Sequence, residues 1–206
     1  MIAISTAFNE ALIAIEHNGE KHFVRLDSNC KHSENVLQSL VNLIDEAGIE
    51  LTQKEEIAVV IGPGSFTGVR IGVALVKGLA AGKKINKVKS LTTLDLIAHI
   101  YYKATQCKKF TVVIDALSGL CFACDYENGK KVSAEKLVKV EEVSGLNLVC
   151  SNFDNLSSQK VEITPEALFE FAKISQNQVE VNALEPLYLR KSQAEDNLEQ
   201  KKVKKV

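Results

Sequence analysis

Two Asn-Gly pairs stand 110 residues apart, Asn18-Gly19 and Asn128-Gly129, each between runs of β-forming residues. A tight two-residue hairpin needs positive φ at both central positions, and Asn-Gly is the pair that tolerates it best. Each pair therefore marks a strand-turn-strand unit. Before the first lie Ile2 to Ile4 and Ala11 to Ile15; before the second lie Phe110 to Ile114 and Leu120 to Tyr126. A gapless slide of 110 residues lays Ile2, Ile4, Ala14, Asn18, Gly19 and Lys21 on Val112, Ile114, Cys124, Asn128, Gly129 and Lys131. Identities along the slide are few, so the repeat rests on spacing.

The segments after each hairpin carry the pattern further. Ser33 reads as the cap of a helix over 33–47 with apolar residues at Val36, Leu37, Leu40, Val41, Leu43, Ile44 and Ala47, closed by Gly48. Ile57 to Ile61 is a continuous apolar run, the mark of a strand buried on both faces. Helices are expected from Ser65 to about Ala81 and from Thr92 to about Lys103, with a polar boundary over 105–109. In the second half, a strand from Leu146 to Cys150, a helix opened by Thr164-Pro165-Glu166 and a last strand over Val179 to Leu184 complete the order. A strand meander followed by helix and strand, present twice, is the plan of the α/β actin-like (ASKHA, ribonuclease-H-like) duplicated fold. The expected division is a lobe over 1–104, a lobe over 105–190 and a Lys-rich tail over 191–206.

Charge limits the function classes. The chain of 206 residues has 25 Lys and Arg against 26 Asp and Glu, a net charge of -1. A protein built to grip a phosphate backbone carries a clustered basic excess. Here the only excess lies in the tail, where five lysines meet three acids. The five cysteines are odd in number and scattered, a poor disulfide framework. With no basic-then-apolar leader and no apolar run of membrane length, the expected place is the cytoplasm.

The run from Gly62 to Gly72, Gly-Pro-Gly-Ser-Phe-Thr-Gly-Val-Arg-Ile-Gly, is the most specific feature. Glycines recur at Gly64, Gly68 and Gly72, and a second small row follows at Ala74, Gly78 and Gly82. Each glycine inside a helix costs roughly 0.5–1 kcal/mol relative to alanine, so close approach of something must offset it. Three readings compete. A Walker phosphate loop lacks its Gly-Lys-Ser/Thr, although a helix N-terminus still suits an anion. Packing of the helix on its own sheet is the second. The third, which the two-faced apolar pattern of helix 33–47 favours, is a helix-helix interface with another chain. On that reading Gly68→Arg or Leu40→Asp abolishes partner binding and leaves the fold intact.

Other chemistry is poorly supported. His17, His22, His32 and His99 include no pair spaced one helical turn apart, as a zinc-binding helix requires. Cys121 and Cys124 in a strand point to opposite faces and read as small buried hydrophobes. Asp115, after a buried strand, is the one carboxylate placed as the acid of a phosphate loop would be, and so a cofactor-binding candidate, or simply a turn-former.

The glycine-rich run following an apolar strand resembles the signature of the TsaB (YeaZ) family. His32-Ser33, Ile114-Asp115-Ala116 and the run from Glu185 through Pro186, Leu187, Tyr188 and Leu189 to Arg190 sit where that family has comparable motifs, so the resemblance spans nearly the whole chain. It implies a two-lobed actin-like protein of tRNA threonylcarbamoyladenosine (t6A) synthesis, non-catalytic and without cofactor or metal. Its implied partners are the catalytic TsaD subunit and the ATPase TsaE, or a second copy through the same helices, with tRNA met only indirectly and no membrane. The implied interface comprises Val36, Leu37, Leu40, Val41, Ile44, Gly64, Ser65, Phe66, Thr67, Gly68, Val69, Arg70 and Gly72. Two departures stand out: Ser5-Thr6-Ala7 replaces the family's Asp-Thr-Ser, and Asp115-Ala116-Leu117 replaces Asp-Ala-Arg. Both remove charge from the cleft where actin-like enzymes hold nucleotide. The alternative function is a small actin-like ATPase or kinase using that cleft.

Overall fold

A computed structural model describes residues 1–8, 10–26, 32–143, 147–151 and 158–189, the side chains of 32–34 excepted. Its elements run β1 (Ile2–Ser5), β2 (Ala11–His17), β3 (Glu20–Leu26), α1 (His32–Glu46), β4 (Ile57–Val60), α2 (Phe66–Lys83), β5 (Lys87–Leu91) and α3 (Thr93–Thr105). Then come β6 (Lys109–Asp115), β7 (Leu120–Glu127), β8 (Lys130–Lys131), β9 (Lys136–Lys139), α4 (Val140–Val143), β10 (Leu148–Cys150), β11 (Gln159–Lys160), α5 (Pro165–Ile174) and β12 (Gln178–Glu180), followed by a 3-10 turn at Val181–Ala183. The Ser33 cap, the start of a strand at Leu146, Arg190 and the tail 191–206 fall outside the described residues or side chains.

Both Asn-Gly pairs are the expected hairpin turns. Asn18 and Gly19 have φ of 50° and 85°, and Asn128 and Gly129 have φ of 50° and 73°. The first sheet has the order β12-β5-β4-β1-β2-β3 and the second β11-β10-β6-β7-β8, with β9 also on β7. In each, an antiparallel meander precedes parallel strands: β1 pairs antiparallel with β2 and parallel with β4, while β6 pairs antiparallel with β7 and parallel with β10. The duplicated actin-like plan is therefore present.

The gapless slide needs one correction. Ser5 pairs with Leu12, whereas Asp115 pairs with Cys121, so the second copy's turn is one residue shorter. Ile2 therefore corresponds in register to Thr111 rather than Val112. Because β1 and β6 are buried on both faces, a one-residue slip leaves no mark in the hydrophobic pattern.

Helices cover the sheets unequally. α1 packs on β2 and β3, α2 packs on β4 and β1, and the two helices touch each other. α5 packs on β1, β2 and β3, and also meets α3, which lies against β6, β7 and β10. Every residue of β1 and the first five of β2 are buried, so both faces of that sheet are covered. Beyond the second lobe's strands the chain returns: α5 seats on the first sheet and β12 closes its edge against β5. The main core accordingly runs through both halves, from Ile2 to Leu184. Alternation along β6 divides its side chains, with Phe110, Val112 and Ile114 in this core and Val113 in a smaller cluster with Cys121, Ala123 and Cys150. Cys124 belongs to the main core, so Cys121 and Cys124 do face opposite sides.

A packed glycine row and an exposed apolar face

α2 begins where β4 ends, after Gly62, Pro63 and Gly64. Ser65 caps it, its hydroxyl accepting from the Gly68 N–H at 3.2 Å. The turn is pinned on several sides: the Ile61 N–H donates to the Leu91 carbonyl (2.8 Å), the Thr93 N–H to the Gly62 carbonyl (2.8 Å) and the Leu187 N–H to the Ile61 carbonyl (2.7 Å). Gly62 takes φ 105°, a conformation that only glycine adopts cheaply.

The glycine row answers to the chain's own β1–β2 turn. A Cβ at Gly64 would overlap the Ala7 carbonyl oxygen, one at Gly68 the Thr6 carbonyl oxygen and one at Gly72 the Thr6 hydroxyl. Hydrogen bonds close the same contact. The Ser65 N–H donates to the Ala7 carbonyl (2.7 Å) and the Thr6 hydroxyl to the Gly68 carbonyl (2.6 Å). The expectation that Gly64, Gly68 and Gly72 receive a second chain is therefore corrected: their missing side chains make room for Thr6 and Ala7. The second row behaves differently. Nothing lies within 4 Å of a Cβ built at Gly78 or Gly82, and both are exposed, as is Ala74.

α1 splits its apolar residues between two faces about 100° apart. Val36, Leu40 and Leu43 are buried against the sheet, at 1%, 1% and 5% exposure. One position along, Leu37 and Val41 are 54% and 40% exposed and Ile44 is half-buried. Phe66, at the start of α2, is 38% exposed. Of the expected interface residues, Leu37, Val41, Ile44, Ser65, Phe66, Thr67 and Arg70 reach the surface. Val36, Leu40, Val69, Gly68 and Gly72 are buried in their own lobe. Leu40→Asp and Gly68→Arg thus strike the core and cannot separate binding from folding.

Arg70 lies over the Phe66 ring at 3.9 Å, and its Nε–H donates to the Tyr188 hydroxyl at 2.7 Å. The Phe66 and Tyr188 rings are 5.3 Å apart. Tyr188 arrives there because Leu187 is tied to Ile61. This cluster of three was not legible in the sequence, where Phe66 and Tyr188 are 122 residues apart.

The remaining candidates have local roles. Asp115 Oδ1 accepts from the Leu117 N–H at 2.7 Å, shaping a turn in which Leu117 and Ser118 have φ of 64° and 57°. His99 stacks at 5.4 Å on Phe171, and burial, with Lys103 nearby, lowers its pKa below 6.5. Burial likewise raises the Cys121 and Cys124 thiols, most strongly opposing their ionisation. Among the described residues, no three His, Cys, Asp or Glu side chains gather as a metal site requires, and no helix is long and apolar enough to cross a membrane.

The family model for TsaD, tRNA N6-adenosine threonylcarbamoyltransferase, matches residues 26–187, most of the chain. The sequence is 30% identical over 134 residues to the tRNA threonylcarbamoyladenosine biosynthesis protein TsaB of Escherichia coli (strain K12), covering 63% of this chain and 57% of that protein. The chain belongs to this family, on its TsaB (YeaZ) branch. The TsaB of Haemophilus influenzae is 28% identical over 116 residues, covering 56% of this chain and 49% of that one. The chain thus matches about half the length of these curated TsaB relatives. The fold matches more fully. YeaZ from Pseudomonas aeruginosa superposes with a TM-score of 0.74 at 23% identity, covering 91% of this chain and 98% of that one. The run from Gly62 to Gly72 is thus the segment that locks α2 onto the β1–β2 turn, and α1, with its exposed Leu37 and Val41, packs against α2.

Proposed function

We propose that this chain is a non-catalytic subunit of bacterial t6A synthesis that binds and activates a catalytic TsaD subunit through the α1/α2 face. The observation that carries this reading is the apolar stripe of exposed Leu37 and Val41 with half-buried Ile44 on α1, a helix in contact with α2, whose Ala74, Gly78 and Gly82 are exposed in turn. Among the described residues, nothing lies within 4 Å of a Cβ built at Gly78 or Gly82, and Leu37 and Val41 stay exposed. Exposed leucine and valine on one helix, beside helix-weakening glycines on the next, are what a close helix-helix contact would use. The names of the TsaB relatives supply the pathway.

Activation follows from differential binding: docking favours the partner's active arrangement to the extent that this arrangement binds better. The ATPase TsaE joins the assembled pair, tRNA is met through the partner, and a second copy of the chain competes for the same face. All of this takes place in the cytoplasm. The ATPase-or-kinase alternative is less well served. The β1–β2 turn, which would have to face a phosphate, spends its Thr6 hydroxyl and Ala7 carbonyl on α2.

The test is depletion of the chain in its own host, with t6A measured in total tRNA. Loss of t6A restored by the wild-type chain supports the reading; unchanged t6A refutes it.

A further inference from the structure

We propose that Arg70 is a preorganised carboxylate receptor at the edge of the α1/α2 face, and that an Asp or Glu side chain of the protein docked there occupies it. The inference rests on the docking role above and names the chemistry of one contact within it.

Three observations carry it. First, the guanidinium is held before any partner arrives: its Cζ lies 3.9 Å from the centre of the Phe66 ring and its Nε–H is committed to the Tyr188 hydroxyl at 2.7 Å. A long side chain that is already fixed gives up little freedom on binding, which is the main cost of an arginine contact. Second, among the described residues Arg70 has no carboxylate within ion-pair distance, although other exposed cations do: Arg25 pairs with Glu10 and Glu162, Lys103 with Glu170 and Lys173 with Glu16. The two Nη groups, the fork that matches a carboxylate, remain to be used. Third, the surroundings are apolar. Arg70 is exposed over the Phe66 ring, itself 38% exposed, on α2, the helix that packs against α1 with its exposed Leu37 and Val41.

The charge pattern selects a protein rather than a nucleic acid. α1 contains no Lys or Arg from His32 to Glu46, and Arg70 is the sole cation in α2 before Lys77. A phosphate backbone needs several cations to release its counterions. One arginine framed by two aromatic rings, with no second cation close by in its helix, is the composition of a protein interface core.

The experiment uses the full chain and its purified TsaD-class partner. Arg70→Met should lower affinity at least thirtyfold, the scale of an interface hot spot, with an unchanged melting temperature. Arg70→Lys, placed in saturating complex and treated with a water-soluble carbodiimide, should give an amide cross-link from position 70 to an Asp or Glu of the partner, read by peptide mass spectrometry. A cross-link to Glu195, Asp196 or Glu199 of this chain's own tail would overturn the proposal, as would no cross-link at all. Equal affinity of Arg70→Met and wild type would also overturn it while leaving the docking role standing. A wild-type chain that binds no partner defeats the docking role itself, and this proposal with it.

Discussion

The Thr6 hydroxyl donates a 2.6 Å hydrogen bond to the Gly68 carbonyl, tying the first hairpin turn to the first turns of α2 across 62 residues of chain. Around it, Gly64 and Gly68 leave space for the turn's main chain and Gly72 for the Thr6 side chain. The glycines Gly64, Gly68 and Gly72 are therefore structural.

Opposite expectations follow for two glycines of one helix. Gly68→Ala drives a methyl group into the Thr6 carbonyl, where backbone must move, and should lower the melting temperature sharply or prevent folding. Gly78→Ala meets open space and should stabilise the chain by roughly 0.5–1 kcal/mol through helix propensity. Under the proposed docking role, the same substitution adds a methyl to an exposed stretch of α2 and should weaken the complex. Thermal melts and a binding titration of both variants check the contrast.

The two faces of α1 separate in the same way. Leu40→Ala should cost about 2–5 kcal/mol, because Leu40 is 1% exposed in the core. Leu37→Ala should change stability by no more than about 0.5 kcal/mol, since Leu37 is 54% exposed. Denaturant unfolding of the two variants distinguishes them.

Much of the architecture was legible because it rests on local signals. The Asn-Gly turns, the apolar run of β4 and the Thr164-Pro165 helix start each act within a few residues, and all appear as expected. What was not legible depends on distant partners. The glycine spacing could not say whether a second chain or Thr6 fills the space. The pattern of α1 showed two apolar faces without showing that Val36 and Leu40 belong to the core. Tyr188 reaches Arg70 only because Leu187 hydrogen-bonds Ile61, a pairing across 126 residues that leaves no periodic trace.

Tyr126 should prove a structural anchor between the halves. Its hydroxyl donates to Asp95 Oδ1 at 2.7 Å, while Asp95 Oδ2 accepts from Thr92 (2.7 Å) and pairs with Lys131 (3.0 Å). Burial and the Asp95 charge push the phenol well above its ordinary range, so it stays protonated. Tyr126→Phe should cost about 1–3 kcal/mol by leaving a partly buried carboxylate short of a donor. Chemical denaturation measures this directly.

His99 makes stability depend on pH. Its folded pKa lies below 6.5, chiefly from burial and secondarily from Lys103, with Glu170 opposing. A base that is harder to protonate when folded leaves the native state fully stable above 6.5. Stability is lost as pH falls below 6.5 toward the lowered folded value. The melting temperature should therefore drop between pH 7.5 and 5.5, and His99→Gln should drop less over that window. An identical slope in the variant would remove His99 from the account.

The most direct test of the docking face is calorimetric titration of a purified TsaD-class partner with the chain and with its Leu37→Asp/Val41→Asp variant. The prediction is a stable complex for wild type and none measurable for a variant that keeps its melting temperature. Equal affinity for the two would contradict the docking face.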